Sequence, residues 1–474
     1  MAEPFIDVNT IGSYIFSVNV DVPTAARAAL TSDSCQPLYL RLADALEPQA
    51  GPGPAEFPSA RALALEMGLA RATVTAAYQE LARRGLIRLR PGRPRRTPLS
   101  ESAQAPIAGP LDLARYAPDR ELLPPGRVFQ WLGLGDDEGV GVAQYGSAWG
   151  LTGLRAWIAE RLVASGLRIG AGDVLLTAGV QHGIDLVLRA CARRGDRILV
   201  EDPTYPGLPP LLELHGLQPV SLRVGARGLD LPRALDLIRA RRPAFAILTP
   251  TLHNPSGHVL DAETRNLLVA AFQEVGTLVI EEWFDPDLVF AGSPPPPMAA
   301  WAAGTVLVGS FSKALFPGLR VGWVTAEAGL LARVMAVKRS ADLAGSSFLE
   351  VAALTLCQRG VLAGQLARLR ERACQRAGLV TAELAASGRR LSWSEPCGGF
   401  SLLVELPAGT SARAVAARAA AEGVTILPGA PMSVSKRDDV VRLAYAALGG
   451  ERLRTAVQTF IRVALASEPG DPLV

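Results

Sequence analysis

The chain has 474 residues, 49% of them hydrophobic, and a formal net charge of +3. Its length fits roughly two to four domains, and no apolar run reaches the roughly 20 residues that a membrane-spanning helix needs. The first four residues lack the basic and apolar regions of a secretory signal. Five widely spread cysteines and four histidines without metal-ligand spacing argue against a disulfide framework, a zinc site or a metal enzyme, and favour a reducing cytoplasm.

Residues 1–36 are weakly patterned, and we assign them to no domain. The first clear elements lie in the sixty residues that follow. In chain order the sequence predicts a helix from Pro37, a second helix with Ser59 as its N-cap and Gly68 at its end, a third helix over 70–84, a short alternating strand over 86–90 and a turn over 91–94.

The same segment is strongly basic. Between Phe57 and Arg96 there are nine arginines and two glutamates, a net charge of +7 in forty residues. This excess favours contact with nucleic acid, and a solvated basic face is the alternative. Three helices followed by a basic hairpin are the layout of a winged helix-turn-helix, which places one helix in the major groove and the wing beside the backbone.

Four motifs in this segment resemble the GntR-type DNA-binding domain. They are Pro37-Leu38-Tyr39, Phe57-Pro58-Ser59-Ala60-Arg61, Leu69-Ala70-Arg71-Ala72-Thr73-Val74 and Tyr78-Gln79-Glu80-Leu81. Phe57 replaces the family's leucine, and Ala70 replaces a serine, which removes a capping or phosphate-binding hydroxyl. The resemblance implies a winged helix-turn-helix domain over 37–96. Its contacts with DNA, mostly with phosphates, would come from Arg61, Arg71, Thr73, Gly92 and Arg93.

Residues 97–111 are rich in Pro, Ser, Ala and Gln, which is the composition of a linker. From 112 to 474, apolar strand patterns alternate with helical stretches. Strands are predicted at 174–177, 197–200, 245–248, 278–280 and 306–308. Continuous apolar strands of this kind are typical of a mostly parallel sheet covered on both faces, so we expect a large α/β domain.

Lys313 is one of only three lysines in a chain with 48 lysine and arginine residues. Arginine serves in salt bridges as well as lysine does, but it cannot form a Schiff base, which needs an amine able to lose its proton. Lys313 lies between two serines and a Pro-Gly-Leu-Arg turn, so we predict that it attaches an aldehyde cofactor. Lys436 repeats the S-x-S-K string without that turn, and Lys338 is expected at the surface or at a domain interface.

A cofactor such as pyridoxal phosphate also needs groups for its phosphate, a ring stack, a partner for its 3-oxygen and an acid near the pyridine nitrogen. Candidates follow the predicted strands, where open α/β sheets bind ligands. The phosphate would be held by Ser310, Ser312, Arg320 and the helix N-terminus at Gly179 and Val180. Tyr205 would stack on the ring, Asn254 would donate to the 3-oxygen, residues 281–285 would supply the acid, and Arg442 would bind a ligand carboxylate.

Each candidate also has an ordinary structural interpretation. Alone, Gly179 is a turn glycine, Tyr205 a core aromatic residue and Asn254 part of an Asn-Pro turn. Arg442 would then belong to a structural ion pair. It is the combination that favours a cofactor site.

Three motifs together resemble fold-type I pyridoxal-phosphate enzymes of the aspartate aminotransferase class over most of 112–474. They are S-F-S-K-x-L-x-P-G-L-R-x-G from Ser310, E-D-P-T-Y-P-G from Glu201 and N-P-[ST]-G from Asn254. The resemblance implies that Tyr145 reaches the phosphate of a partner subunit in a dimer. A GntR-type domain ahead of such a domain resembles the MocR subfamily of transcriptional regulators, which bind pyridoxal phosphate, form head-to-tail homodimers and respond to the cofactor or to an amine.

The acid segment departs from the MocR pattern, E-D-D-Y-D. Glu282 stands where an aspartate contacts the pyridine nitrogen, and Phe284 stands where a tyrosine contacts the 3-oxygen. Phenylalanine cannot hydrogen-bond, which leaves Asn254 as the main partner of that oxygen. We therefore predict cofactor binding with weak or absent transamination. Glu281 or Asp285 is an alternative partner for the pyridine nitrogen.

The sequence thus predicts a cytoplasmic transcriptional regulator that binds an operator in double-stranded DNA and senses pyridoxal 5'-phosphate or an amino compound. One alternative is an active aminotransferase with an accessory DNA-binding domain. Another is a ligand-independent repressor with a degenerate pocket, against which Lys313, Asn254 and Arg320 argue together. Neither the effector nor the direction of regulation follows from the sequence.

Overall fold

The computed structural model of this chain describes residues 37–46, 58–83, 87–88, 95–96, 111–114, 145–302, 304–388 and 390–466. The chain divides into two compact units, Met1–Gly109 and Pro110–Val474, called here the N-terminal and the C-terminal unit. Within the described ranges, no helix combines the length and the apolar character needed to cross a membrane.

The described part of the N-terminal unit forms three helices and one antiparallel strand pair. The elements are α1 (Leu38–Leu46), α2 (Ala60–Met67), α3 (Arg71–Arg83), β1 (Ile87–Arg88) and β2 (Arg95–Arg96). The second helix has the predicted caps: the Ser59 hydroxyl accepts a hydrogen bond from the Ala62 amide at 3.1 Å, and Gly68 has a φ of 63°. Glycine adopts this left-handed conformation without the clash that a Cβ would cause.

Apolar side chains from all three helices form the core of the N-terminal unit. Leu42, Leu63, Val74 and Tyr78 are buried together, and the Tyr78 hydroxyl donates to the Pro58 carbonyl at 3.0 Å. This order of elements agrees with the predicted one. Residues 89–94, which include the predicted wing residues Gly92 and Arg93, lie outside the described ranges.

The C-terminal unit contains most of the secondary structure. Its helices are α4 (Thr152–Ala164), α5 (Val180–Cys191), α6 (Leu208–Leu214), α7 (Leu231–Arg241), α8 (Ala262–Val275), α9 (Ala328–Asp342), α10 (Ser347–Gln358), α11 (Val361–Ala386), α12 (Ala412–Ala421) and α13 (Gly450–Leu465). Short 3-10 turns occur at Ala171–Asp173, Pro286–Leu288, Met298–Ala300, Pro317–Leu319, Ala430–Met432 and Tyr445–Ala447.

The strands of this unit form one large sheet and two small ones. They are β3 (Leu111–Asp112), β4 (Val174–Thr177), β5 (Arg197–Asp202), β6 (Gln218–Gly225), β7 (Gly228–Leu229), β8 (Phe245–Leu248), β9 (Leu278–Trp283), β10 (Thr305–Ser310), β11 (Gly322–Thr325), β12 (Ser392–Trp393), β13 (Ser401–Glu405), β14 (Val424–Thr425), β15 (Leu427–Pro428) and β16 (Val440–Ala444).

The large sheet has eight strands in the order β4-β11-β10-β9-β8-β5-β6-β7. Strands β10, β9, β8, β5 and β6 run parallel, whereas β11 is antiparallel to both of its neighbours. The predicted mostly parallel sheet is therefore confirmed. The strands β6, β7 and β11 have no counterpart among the predicted strands.

Both faces of this sheet are buried, which explains its continuous apolar strands. Val200, Ile247 and Ile280 pack in one hydrophobic cluster, and Leu199 and Val279, their neighbours along the chain, pack in another. Since β4, β5, β8, β9 and β10 all run the same way, their carboxyl ends meet at one edge of the sheet.

The two small sheets lie in the rest of the unit. One is antiparallel, in the order β12-β13-β16-β15. In the other, β3 pairs in parallel with β14, so that Leu111 lies opposite Val424. Leu111, which the composition assigns to the linker, therefore belongs to the C-terminal unit, whose boundary falls at Pro110.

Candidate cofactor site

Lys313 and Glu282 lie together at the carboxyl edge of the large sheet. Lys313 follows β10 and is partly buried, and Glu282 is the last residue but one of β9. Burial raises the pKa of Glu282 to about 7, while a hydrogen bond from the Thr249 hydroxyl at 3.3 Å and the positive charge of Lys313 act in the opposite direction. The pKa of Glu282 therefore depends on the charge of the Lys313 amine.

The two other acids of this segment are engaged elsewhere. Glu281 is 1% exposed and points to the opposite side of β9 from Glu282. Its carboxylate accepts from the Ala299 amide at 3.2 Å and lies beside Arg265. Asp285 forms an ion pair with Arg161 at 2.8 Å. This geometry favours Glu282 over both as the acid next to Lys313.

A narrow cradle forms where β4 leads into α5. Gly179, the residue before the helix, has a φ of 109°. The Arg320 guanidinium donates to the Ala178 carbonyl, and a Cβ on Gly179 would lie 3.2 Å from its Nη2 atom. A Cβ on Gly322 would lie 2.6 Å from the Gly179 Cα. The backbone at Gly179 and Val180 thus begins a helix beside an arginine, an arrangement that suits an anion.

Two serines, Ser310 and Ser312, precede Lys313 in the sequence. The Ser310 hydroxyl accepts from the Ser312 amide at 3.4 Å. The Ser312 hydroxyl is buried and has no hydrogen-bond partner among the described residues. A buried hydroxyl without a partner costs about 1–3 kcal/mol. A ligand oxygen would satisfy it.

Tyr205 follows β5 and provides a second buried hydroxyl. No described residue hydrogen-bonds to that hydroxyl. Burial raises the pKa of Tyr205 well above its usual value, and the charge of Glu282 raises it further. Tyr205 is therefore beside Glu282, as a residue lining the same pocket would be.

Asn254 and Arg442 are in direct contact. Arg442 lies on β16 and is 2% exposed. Its Nη1 donates to the Asn254 Oδ1 at 3.2 Å, and its Nη2 donates to the Ala114 carbonyl at 2.7 Å. With its oxygen bound to Arg442, the Asn254 amide keeps its NH₂ group for donation, as the predicted contact with a 3-oxygen requires.

Phe284 belongs to the hydrophobic core beside this site. Its side chain is 5% exposed, and its ring packs edge-on against Phe400 with the ring centroids 5.9 Å apart. The burial explains why an apolar side chain is tolerated at this position.

The surface position expected for Lys338 is wrong, whereas the alternative of a domain interface stays a prediction. Lys338 is 0% exposed, and its ammonium donates to Asp342 one helical turn later at 2.9 Å. The aliphatic stem packs within α9, where the Asp342 carboxylate balances the charge. Lys436, by contrast, is exposed and has a φ of 59°.

Three further predicted residues, Tyr145, Arg61 and Arg71, are exposed. Tyr145 is 91% exposed. In the N-terminal unit, Arg61 and Arg71 are exposed and Thr73 is half-buried. Exposure is what contact with a partner subunit or with DNA requires.

Sequence reasoning gave no role to Glu201 and Thr249, which the structure places next to Glu282. The Thr249 amide donates to Glu201 at 2.7 Å, and its hydroxyl donates to Glu282. Glu201 lies within the E-D-P-T-Y-P-G motif and ends an apolar strand. A charged residue in a strand buried on both faces was the available clue.

The site fits a phosphorylated pyridine aldehyde in three respects. An amine lies beside an acid, an arginine lies close to the glycine at a helix N-terminus, and two buried hydroxyls lack partners among the described residues. These are the donor groups that such a cofactor needs.

Comparisons with known proteins agree with this fit. The model of the family "Aminotransferase class I and II" matches residues 132–460. The 2-aminoadipate transaminase of Thermus thermophilus is 30% identical over 329 residues, which cover 68% of this chain and 81% of that protein. The crystal structure of the Thermus thermophilus α-aminoadipate aminotransferase LysN, in complex with N-(5'-phosphopyridoxyl)-L-leucine, superposes with a TM-score of 0.70 at 27% identity. The superposition covers 78% of this chain and 95% of LysN. The cofactor of this chain is therefore pyridoxal 5'-phosphate.

A transcriptional regulator is among the similar proteins as well. The HTH-type transcriptional regulator TauR of Rhodobacter capsulatus is 30% identical over 291 residues, which cover 60% of this chain and 58% of the regulator. An aminotransferase domain in a relative of an HTH-type regulator is the combination that the MocR resemblance implies. The chain belongs to the aminotransferase class I and II family and has the architecture of the MocR subfamily of GntR-type regulators.

Proposed function

We propose that this protein is a DNA-binding transcriptional regulator that depends on pyridoxal phosphate and senses either the cofactor or an amino compound. The observation that supports it most is the pairing of two features in one chain. The N-terminal unit exposes Arg61 and Arg71 on consecutive helices, and the C-terminal unit contains the Lys313 site. A regulator acting on DNA would work in the cytoplasm.

DNA binding is assigned to residues 37–96 as a winged helix-turn-helix. Helix α3 would enter the major groove with Arg71 and Thr73 near its N-terminus. Arg61, at the start of α2, would contact the phosphate backbone, as would Gly92 and Arg93 in the wing.

The cofactor, when bound, supplies an aldehyde for amine attachment and a ring that accepts electrons. Lys313 would provide the amine, and Glu282 would interact with the pyridine nitrogen. Asn254 would donate to the 3-oxygen, Tyr205 would stack on the ring, and Arg442 would bind a ligand carboxylate. The phosphate is assigned to Ser310, Ser312, Arg320 and the amides of Gly179 and Val180.

Phe284 makes efficient turnover unfavourable in this proposal. A buried phenylalanine cannot donate to the 3-oxygen, and Glu282 is one methylene longer than the aspartate of the MocR pattern. The groups that hold the cofactor are complete, whereas a group that tunes its reactivity is absent. Holding without efficient turnover suits a sensor.

The head-to-tail homodimer implied by the MocR resemblance is supported by exposed apolar side chains around Tyr145. Tyr145, Leu343 and Phe348 are 91%, 63% and 48% exposed. A Cβ on Gly146 would lie 2.7 Å from the Ser347 hydroxyl, so Tyr145 and Phe348 are near each other. An apolar patch of this kind suits a second copy of the chain, in which Tyr145 would reach the partner's phosphate site. A dimer implies paired half-sites on the DNA.

An active aminotransferase is the second candidate. The named transaminase from Thermus thermophilus matches over 81% of its own length, and the Arg442–Asn254 contact leaves a guanidinium near the site. Mixing the purified protein with amino donors and a 2-oxo acid would test this candidate. Multiple turnovers per site would favour the enzyme, and a single half-reaction would favour the sensor.

Gel-shift assays with the intergenic DNA upstream of the gene test the regulator directly. We expect a retarded complex whose affinity changes at least threefold when pyridoxal phosphate or an amino compound is added. Arg71→Ala should lose the complex, and Lys313→Ala should keep it but lose the cofactor response. A wild-type protein that binds this DNA no better than random DNA would contradict the proposal.

A further inference from the structure

Two carboxyl groups at the cofactor site accept hydrogen bonds from the same threonine, Thr249. Glu201 at the end of β5 accepts the Thr249 amide at 2.7 Å, and Glu282 at the end of β9 accepts the Thr249 hydroxyl at 3.3 Å. Thr249 directly follows β8, which lies between β5 and β9 in the sheet. The sheet order therefore brings two acids from separate strands to one bridging residue.

Two negative charges so placed repel each other. Glu201 is 5% exposed. Burial raises its pKa to about 8, a rise to which the charge of Glu282 contributes and which the Thr249 amide opposes. The pKa of Glu282 is raised only to about 7, since Lys313 acts against burial there. Because the positive charge of Lys313 acts on Glu282 and no cation in the described part of the chain acts on Glu201, Glu282 ionises more readily, and Glu201 is the carboxyl that holds its proton longer.

Among the described residues, the histidines and the tyrosine next to this pair add no positive charge to that of Lys313 at neutral pH. The Nε2 atom of His253 lies 3.6 Å from the Glu201 carboxylate. Burial and the nearby His258 lower the pKa of His253 to about 3, so its ring is neutral. Burial lowers the pKa of His258 too. Tyr205, whose pKa is raised, is also neutral.

We propose that Glu201 is a positioning residue that acts through Glu282. It holds the second proton of the Thr249-bridged pair and releases it to solvent when a protonated pyridine nitrogen binds Glu282. The positive ring nitrogen neutralises the charge that opposed ionisation of Glu201, so the same carboxyl loses its proton more easily. This inference rests on cofactor binding at Glu282 and does not depend on DNA binding.

Proton release on binding determines the direction in which cofactor affinity changes with pH. The pKa of Glu201 is about 8 without cofactor, and it is lower with the cofactor bound. The bound state then holds fewer protons, so cofactor affinity increases as the pH rises towards 8 and levels off above it. Full release of one proton would change the dissociation constant about tenfold per pH unit.

Titration of the cofactor-free protein with pyridoxal phosphate, at half-unit steps from pH 6.5 to 9, tests the proposal. Glu201→Gln keeps an acceptor for the Thr249 amide but has no proton to release. We expect its plot of log Kd against pH to be shallower than the wild-type plot below pH 8, by up to about one log unit per pH unit.

Glu281→Gln is the matched control. Glu281 is also buried and its pKa is also raised to about 7. Because it accepts from the Ala299 amide and senses the charge of Arg265 on the other side of β9, its substitution should leave the slope at the wild-type value. A purely structural role of Glu201 would instead lower the melting temperature of Glu201→Gln and leave the slope unchanged.

The outcomes separate this inference from the wider assignment. Equal slopes for wild type and Glu201→Gln would overturn the role of Glu201 and leave cofactor binding intact. A wild-type protein that does not bind pyridoxal phosphate would overturn both. If Glu201→Gln does not fold, calorimetry of the wild type in two buffers of different ionisation enthalpy decides. Release that peaks between pH 7 and 8 supports the proposal, and release that is constant from pH 6.5 to 9 contradicts it.

Discussion

Both units of this protein are proposed to bind phosphate, but they present different surfaces to it. In the C-terminal unit, Gly179, Arg320 and the buried hydroxyl of Ser312 are fixed by strands and a helix before a ligand arrives. In the N-terminal unit, Arg61 and Arg71 extend into solvent. A preorganised, partly desolvated site gains from short-range hydrogen bonds, whereas exposed arginines gain mainly from displaced counterions. Phosphate binding would thus depend mainly on hydrogen bonds in the C-terminal unit and mainly on counterion release in the N-terminal unit.

Removing the amine of Lys313 should abolish cofactor attachment in the C-terminal unit and leave DNA binding by the N-terminal unit intact. In Lys313→Ala we expect complete loss of the protein-bound absorbance band near the visible edge, because no other described lysine lies beside Glu282. Absorbance after gel filtration at saturating pyridoxal phosphate measures it. Lys436→Ala is the control and should retain the full band. A band that persists in Lys313→Ala would mean that another amine holds the cofactor.

Salt should separate the two sites next. If the N-terminal unit contacts six or more phosphates, its DNA affinity should fall about 10³-fold between 50 and 200 mM salt. The affinity for pyridoxal phosphate should change by about threefold or less over this range, since a buried site is screened weakly. Arg71→Ala should reduce the salt slope of DNA binding by about one, which fluorescence anisotropy resolves. Parallel salt dependence of both ligands would remove the distinction.

Filling the cradle should weaken the preorganised site by an intermediate amount. In Gly179→Ala, the positive φ of 109° and the Arg320 guanidinium 3.2 Å from the new Cβ both oppose the substitution. We expect about tenfold weaker cofactor binding or more, given a backbone cost of about 1–3 kcal/mol. Gly364→Ala, at a helical glycine with open space around it, is the control. Unchanged affinity in Gly179→Ala would argue that the phosphate binds elsewhere.

Restoring a phenol should produce the smallest change. Phe284→Tyr offers the 3-oxygen a hydrogen bond that favours its ionised form, so the absorbance of the bound cofactor should titrate about one pH unit lower. A spectrophotometric pH titration records it. Any rise in transamination would accompany that shift. Because the ring packs against Phe400, a melting curve must first show that the fold is intact.

The sequence predicted the framework well where a single local pattern was sufficient. Strands such as β8 and β10 are buried on both faces, so their composition alone identifies them. Ser59 and Gly68 limit α2 through local geometry. Lys313 was recognised because lysine is rare and its flanking residues are unusual.

Other features depend on residues that are distant in the chain. Glu201 has its role through Thr249, 48 positions later, and a one-dimensional pattern does not contain that contact. The surface position expected for Lys338 was wrong because a charged side chain is expected to be exposed when its partner is unknown. That partner is Asp342. Strand β6 mixes exposed and buried positions, and β11 begins at Gly322, so neither has the continuous apolar composition that identified β8 and β10.

The parallel pairing of β3 with β14 has a mechanical consequence. The Leu111 amide donates to the Gly423 carbonyl and the Leu113 amide to the Thr425 carbonyl, both at 2.6 Å, and the Leu113 carbonyl accepts from the Ala444 amide at 2.8 Å. One residue further, the Ala114 carbonyl accepts from Arg442. Tension on the chain that enters the C-terminal unit would act on these bonds. Within the described segment, the furthest of them is made by Arg442, the arginine proposed to hold the ligand.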